Sequence, residues 1–189
     1  AKVRAVRRLW WRILETCSIE PMPATIHAET SWRMMSFKDP ETNILRNTIA
    51  CFAAATGGAD TISVLPHTLT HGLPDAFARR VARNIQLVLS GESRIGFVSD
   101  PAAGSGAIES LTASLCEAAW DEFRRIEGEG GILASVQAGH LQARIAEARD
   151  KRRQALEEGK RPIVGTTIFP AQAERPVTCL DAERSDDPG

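Results

Sequence analysis

IHAETSWRMMSFKDPETNILRNTIACFAAATGGADTISVLPHTLTHGLPDAFARRVARNIQLVLSGESRIGFVSDP, residues 26–101, alternates short β-type runs with amphipathic helical runs. Polar residues gather where the β runs end. That is the pattern of successive βα units with a ligand face at the strand ends. Within it, residues 24–31 read as a short strand. Asp39-Pro40-Glu41 reads as a helix start, with Asp39 as N-cap and Pro40 at the first helical position. That helix carries Ile44, Leu45, Ile49, Phe52 and Ala53 and stops at Gly57-Gly58. Residues 60–65 read as the next strand, ended by Pro66. Leu73-Pro74-Asp75 opens a further helix with Phe77, Val81, Ile85 and Leu89 on its buried side, ending near Gly91.

Working outward, residues 1–16 are helical, with Val3, Val6, Trp10, Ile13 and Leu14 near one face and Arg4, Arg7, Arg8 and Arg12 elsewhere. Pro21 and Pro23 break that helix. A second long helix is expected over 107–127, a break over 128–131, and a largely helical stretch over 133–158 with a polar second half. Residues 162–170 (PIVGTTIFP) read as a strand or extended segment. From Ala171 the periodicity vanishes, and residues 181–189 are expected to be a disordered tail. The chain therefore divides into a folded portion, 1–170, and a linker or tail, 171–189.

The chain has 189 residues, enough for one domain with its own core. A complete eight-stranded α/β barrel typically needs about 250 residues, so the fold class expected is α/β, a partial (β/α)8 barrel of late βα units followed by a linker. The net charge of -1 gives no nucleic-acid or membrane surface, and no stretch approaches a membrane span. Cys17, Cys51, Cys116 and Cys179 are widely spaced, as expected of reduced, mostly buried thiols in a cytoplasmic protein. The chain opens on Ala1 directly in helical periodicity, as the middle of a longer protein would.

Few side chains suit catalysis. His67 and His71 are four apart, but prolines at 66 and 74 flank them and no Glu completes a His-Glu-x-x-His pattern. They read as a polar loop at a strand end, not as a metal site. Gly104-Ser105-Gly106 precedes a helix, but Glu109 stands where a dinucleotide fingerprint needs its third glycine, so a tight turn is the better reading. The basic run 149–153 is interleaved with acids and reads as a solvated helix face. The best candidate is His27-x-Glu29-x-Ser31, which puts polar groups on one strand face. In a barrel that face points into the lumen, where polar groups are costly unless something uses them.

Several motifs, in order, resemble the methylmalonyl-CoA mutase family of adenosylcobalamin-dependent acyl-CoA mutases. They are residues 1–10 (AKVRAVRRLW), His27-x-x-Thr30-Ser31, Asp39-Pro40-x-x-Asn43-Ile44-x-Arg46, Gly57-Gly58, Leu73-Pro74, Ala82-Arg83-Asn84-x-Gln86-Leu87, Asp100-Pro101-x-x-Gly104-Ser105 and Pro162-Ile163-Val164-Gly165. The resemblance reaches to about Pro176. It implies a (β/α)8 barrel threaded by acyl-CoA, with cobalamin delivered to the strand ends by a separate domain. On that template this chain is the last part of the barrel and the start of a linker. The early strands, the Gly-Tyr-His segment and the Asp-x-His-x-x-Gly cobalt-ligand motif lie outside it.

The departures from the family pattern matter as much. Catalytic subunits read His-x-Gln-Thr-Ser-Gly-Trp where this chain has His27-Ala28-Glu29-Thr30-Ser31-Trp32-Arg33. The resemblance implies that His27 keeps the CoA-side contact. The glutamine near the adenosyl group becomes Glu29, the glycine beneath the corrin becomes Trp32, and the tryptophan becomes Arg33. On the next strand the family's asparagine falls on Leu65, and the glutamate that holds the adenosyl ribose falls on Leu69. Trp32 fills space where a macrocycle needs close backbone approach, and the leucines offer no hydrogen bonds. The expectation is a fragment of the family's small (β) subunit, without catalytic residues or a bound metal. It would support a large (α) catalytic subunit and not itself bind adenosylcobalamin, acyl-CoA being a possible ligand. The alternative is a fragment of a catalytic mutase with divergent pocket contacts, suggested by His27 and Glu29. A part of a barrel also has unpaired strand edges, so self-association of the isolated chain is expected.

Overall fold

The computed structural model describes residues 1–181; the tail expected at 181–189 lies, but for Asp181, outside the described residues. The chain divides into two compact units, residues 1–24 with 102–163, and residues 25–101 with the chain from 164 onward.

The first unit is helical. α1 (Lys2–Thr16) packs against α4 (Gly106–Gly128), and α5 (Ile132–Gln137) and α6 (His140–Glu157) follow. Ala5 and Leu14 supply the buried face of α1, while Thr112 of α4 and Ser135 of α5 are fully buried. The largely helical stretch expected over 133–158 is two helices. Gly139, with φ 80°, makes a left-handed break that only glycine adopts without strain.

The second unit is a βαβα arrangement. β1 (His27–Glu29) and β2 (Thr61–Ser63) pair in parallel, in the register His27 to Thr61, Ala28 to Ile62 and Glu29 to Ser63. α2 (Thr42–Thr56) connects them, and α3 (Ala76–Leu87) follows and runs into a π turn over Val88–Glu92. Parallel pairing requires such a crossover, because a tight turn cannot reverse the chain direction twice. Ile62 packs on the cluster of Cys51, Ile85 and Leu89, joined by Ile44, Val64 and Ile95. One face of the strand pair is therefore covered by α2 and α3. The other carries His27, Glu29 and Thr61, all exposed. Two residues, Leu73–Pro74 (β3), pair antiparallel with Cys179–Leu180 (β4), inside the stretch read as without pattern.

Helix ends follow local chemistry. α3 starts at Asp75, whose Oδ1 accepts from Ala78 N at 2.8 Å. α2 stops at Gly57-Gly58, where Gly58 takes φ 86° and Ala59 N donates to Ala54 O. Its start differs from the expected one. Asp39 has φ 51° and bonds the Thr42 hydroxyl, the turn 39–41 precedes the helix, and α2 begins at Thr42.

The packed faces also differ from the expected ones. α2 buries Asn43, Asn47 and Cys51, while Leu45 and Ile49 are 64% and 69% exposed. α3 buries Ala78, Ala82 and Ile85, the π turn after it buries Leu89, and Phe77 is exposed. Small residues let α3 approach its neighbours closely, which a phenyl ring at that position would prevent. Residues 162–170 are not a strand. A tight turn brings Gly165 N to Ile168 O at 2.9 Å, with Gly165 at φ 76°. β1 and β2 are three residues long, shorter than the β runs in the sequence. Of the cysteines only Cys51 is buried, and Cys17 is exposed.

Candidate functional site

The polar residues singled out on β1 do share a face. The two-residue period puts His27 and Glu29 on the side away from the helices. His27 Nδ1 lies 2.7 Å from Thr61 Oγ1, its partner across the strand pair. Side chains of His27, Glu29, Thr61 and Ser63 thus form a polar strip on the uncovered face, with His27 bonded to Thr61 across it.

Beyond β1 the chain turns into a 3-10 helix, Trp32–Met34, started by Ser31, whose Oγ accepts from Arg33 N at 3.3 Å. This turn presents Trp32, 54% exposed, and the exposed Arg33 directly at the end of β1. Leu65 and Leu69 are half-buried in the loop after β2. Leu65 contributes backbone: its N–H donates to the buried Thr30 Oγ1 at 2.9 Å, and its carbonyl accepts from Asn47 Nδ2 at 2.7 Å.

The strand-end loops are held by residues that apolar periodicity does not single out. Asn43 is fully buried and its amide makes bonds in two directions. Nδ2 donates to Ser36 O at 2.8 Å and to His67 O at 3.0 Å, and Oδ1 accepts from Ser36 N at 2.9 Å and from Arg46 Nη1 at 2.7 Å. Asn43 therefore ties the loop after β1 to the loop after β2. Asn47, one turn on, holds Leu65. Spacing of i, i+4, i+8 for Asn43, Asn47 and Cys51 was the available signal, but of a polar stripe. The turn at 164–168 docks on the same region. Arg46 Nη2 donates to Val164 O at 2.6 Å, and Ser36 Oγ sits 2.6 Å from Thr166 Oγ1. A Cβ at Gly165 would fall 2.4 Å from Asp39 Oδ2, so only glycine fits.

His67 and His71 are on separate contacts. His67 is buried, edge-on to Phe77 at 6.3 Å, and burial pushes its imidazole below the ordinary value against the opposing pull of Glu41 and Asp75. His71 stacks on Phe37 at 4.1 Å. Among the described residues no group of three or more His, Cys, Asp or Glu side chains is placed to hold a metal ion. Two cavities open at these loops, about 330 Å3 beside Phe37, His71 and Glu174, and about 160 Å3 beside His67, Thr68 and Phe77. His27, Glu29, Trp32, Arg33, Leu65 and Leu69 line neither.

In the other unit, the Gly104-Ser105-Gly106 turn leads into α4, and Glu109 in its first turn is bound by Arg4 and, at 2.5 Å, by Arg8 of α1. The hydrogen bond from Arg8 is the main reason its carboxyl lies below the ordinary value. The basic run is a solvated face of α6, with Lys151 on Glu147 at 2.6 Å. No helix among the described residues is long and apolar enough to cross a membrane.

With this geometry described, the comparisons with known proteins are specific. The family model for methylmalonyl-CoA mutase matches residues 1–187. The methylmalonyl-CoA mutase small subunit of Streptomyces virginiae is 47% identical over 178 residues, covering 94% of this chain and 29% of that protein. The small subunit of Propionibacterium freudenreichii subsp. shermanii is 42% identical, covering 94% of this chain and 28% of that protein. The methylmalonyl-CoA mutase of Cereibacter sphaeroides is 35% identical, covering 97% of this chain and 26% of that protein. The chain spans less than a third of the length of these relatives. With the polar strip, the βαβα order and a match running along nearly its whole length, the chain belongs to the methylmalonyl-CoA mutase family.

Proposed function

We propose that this chain is part of a methylmalonyl-CoA mutase small (β) subunit that does not itself carry the chemistry. It would act as a structural partner of a cytoplasmic large (α) subunit that interconverts methylmalonyl-CoA and succinyl-CoA. The observation that carries this reading is the exposed Trp32–Arg33 step at the end of β1. A flat macrocycle needs close backbone approach at the strand ends. An indole and a guanidinium on a 3-10 turn stand in that approach, and Leu65 and Leu69 bring no side-chain hydrogen bond for a ribose. These residues do not fit adenosylcobalamin, so no step through it is derived. The higher identity to the two small subunits than to the Cereibacter mutase supports the same reading.

The parallel β1-α2-β2-α3 order, covered by helices on one face and polar on the other, supports placing these residues as late βα units of a (β/α)8 barrel, the segment from 171 being a linker. In that setting His27 and Glu29 would face the lumen, and His27 would be the group left to meet the CoA side of a ligand. That strip also favours the second reading, a catalytic mutase with altered contacts, which expects turnover by the parent protein without a large subunit. The deciding experiment is a titration of the purified chain with adenosylcobalamin, followed by corrin absorbance. No saturable binding is expected; tight one-to-one binding would overturn the proposal.

A further inference from the structure

The cavity of about 160 Å3 in the second unit has features that the reading above does not use. Its walls include His67, Thr68, Glu41, Asp75 and Phe77, together with residues 176–178. His67 and Thr68 are each more than nine-tenths buried. His67 Nδ1 and Thr68 Oγ1 are also without a hydrogen-bond partner among the described residues. Two unpaired polar atoms on neighbouring residues are costly, because each has lost its water without gaining a partner. Native interiors rarely tolerate that without a use. The neighbours indicate which ligand would satisfy them. Glu41 and Asp75 are close enough to act electrostatically on His67, and Phe77 adds an aromatic ring. A neutral imidazole nitrogen and a hydroxyl oxygen accept hydrogen bonds, two carboxylates favour positive charge, and an aromatic face attracts cations. The imidazole and carboxylates do not converge as metal ligands do.

We propose that this cavity binds a small organic ammonium ion, its N–H groups donating to His67 Nδ1 and Thr68 Oγ1, with Glu41 and Asp75 supplying the opposing charge. Both acceptor atoms are closed to solvent, so binding requires the cavity wall beside them to open. The inference stands independently of the small-subunit reading, because none of its residues is a strand-end position that reading uses.

The test uses the full chain labelled with 15N in its histidines, held at about pH 8, where imidazole is neutral and methylammonium is charged. Methylammonium chloride is titrated against sodium chloride at equal ionic strength, and the His67 ring signals are assigned with His67→Gln. A saturable shift of the His67 ring nitrogens is expected. The ceiling on binding per heavy atom puts the dissociation constant no tighter than about 6 mM. Tetramethylammonium, which has no N–H donor, should give no saturable shift. Thr68→Val should weaken binding about tenfold or more, while Thr68→Ser, which keeps the hydroxyl, retains it. The proposal is overturned by a response equal to that of sodium chloride, by saturation at His27 or His71 in place of His67, or by undiminished binding in Thr68→Val with unchanged His27 signals.

Discussion

In the unit built from residues 1–24 and 102–163, polar cross-links between helices are charged and partly buried. Glu109 bridges Arg4 and Arg8, and Glu129 takes Arg144 at 2.6 Å together with the Ser135 hydroxyl. In the unit built from residues 25–101 and 164 onward, the amides that cross-link the strand-end loops are neutral and buried. Asn43 and Asn47 hold four backbone groups of the strand-end loops, and Thr30 holds a fifth. Ion pairs that still reach solvent are screened by water and salt, so their strength depends on ionic strength. A buried amide is different, because its removal strands several backbone groups away from water. One unit should therefore respond to salt, and the other to single side-chain deletions.

The sharpest way to break that comparison is Asn43→Ala. It leaves Ser36 N, Ser36 O and His67 O without their partner, and the expected loss is about 3–5 kcal/mol in the second unit. Alkylation of the buried Cys51 should accelerate accordingly, while amide exchange in α1 and α4 stays unchanged. Gly165→Ala should cost about 1–3 kcal/mol in the same unit, through left-handed backbone strain and the clash with Asp39. The same thiol assay reads it. Asp75→Ala removes a helix cap and should cost about 1 kcal/mol, seen as faster exchange over the first turn of α3.

Acid distinguishes the units without mutation. His67 is depressed on folding, so its contribution is complete above the ordinary value of 6.5 and is lost as pH falls from there toward the lower folded value. Glu109 and Glu129 are depressed carboxyls, so their contribution is complete above the ordinary 4.5 and is lost only below it. Cys51 protection should thus begin to fall near pH 6.5 and α4 amide protection near pH 4.5. The smallest effect expected is from Glu109→Gln. It should flatten the acid limb of the first unit and leave the Cys51 alkylation rate unaltered. A larger effect on Cys51 would contradict the separation drawn here.

The sequence was legible where chemistry is local. Asp75 announces α3, Gly57-Gly58 ends α2, and the alternation at His27 and Glu29 puts both on the face the structure leaves exposed. It was illegible where backbone groups elsewhere decide. Counting apolar residues assigns Leu45, Ile49 and Phe52 to the packed side of α2. The structure packs asparagines there, because carbonyls at 36, 65 and 67 need donors. Apolar periodicity has no term for a distant carbonyl. Residues 162–170 look extended because Ile163, Val164 and Ile168 are β-favouring, yet the left-handed Gly165 and its closeness to Asp39 make a turn. For the candidate site, the position of Trp32 at the end of β1 was readable, whereas His67 was read only as a polar loop. Its burial depends on Phe77 and on residues 176–178, a hundred positions later in the chain.

The turn at 164–168 also governs the order in which the molecule can be made. Ser36 meets Thr166 across 130 positions of sequence, and Arg46 meets Val164 across 118. The helical unit, encoded between them, is contiguous apart from α1. During synthesis the β1-α2-β2-α3 segment emerges early but lacks these partners until residues 164–180 leave the ribosome. By then α4, α5 and α6 are already available to fold. The segment 25–101 thus precedes α4, α5 and α6 in the sequence but is completed after them, and its strand ends wait, open, until then.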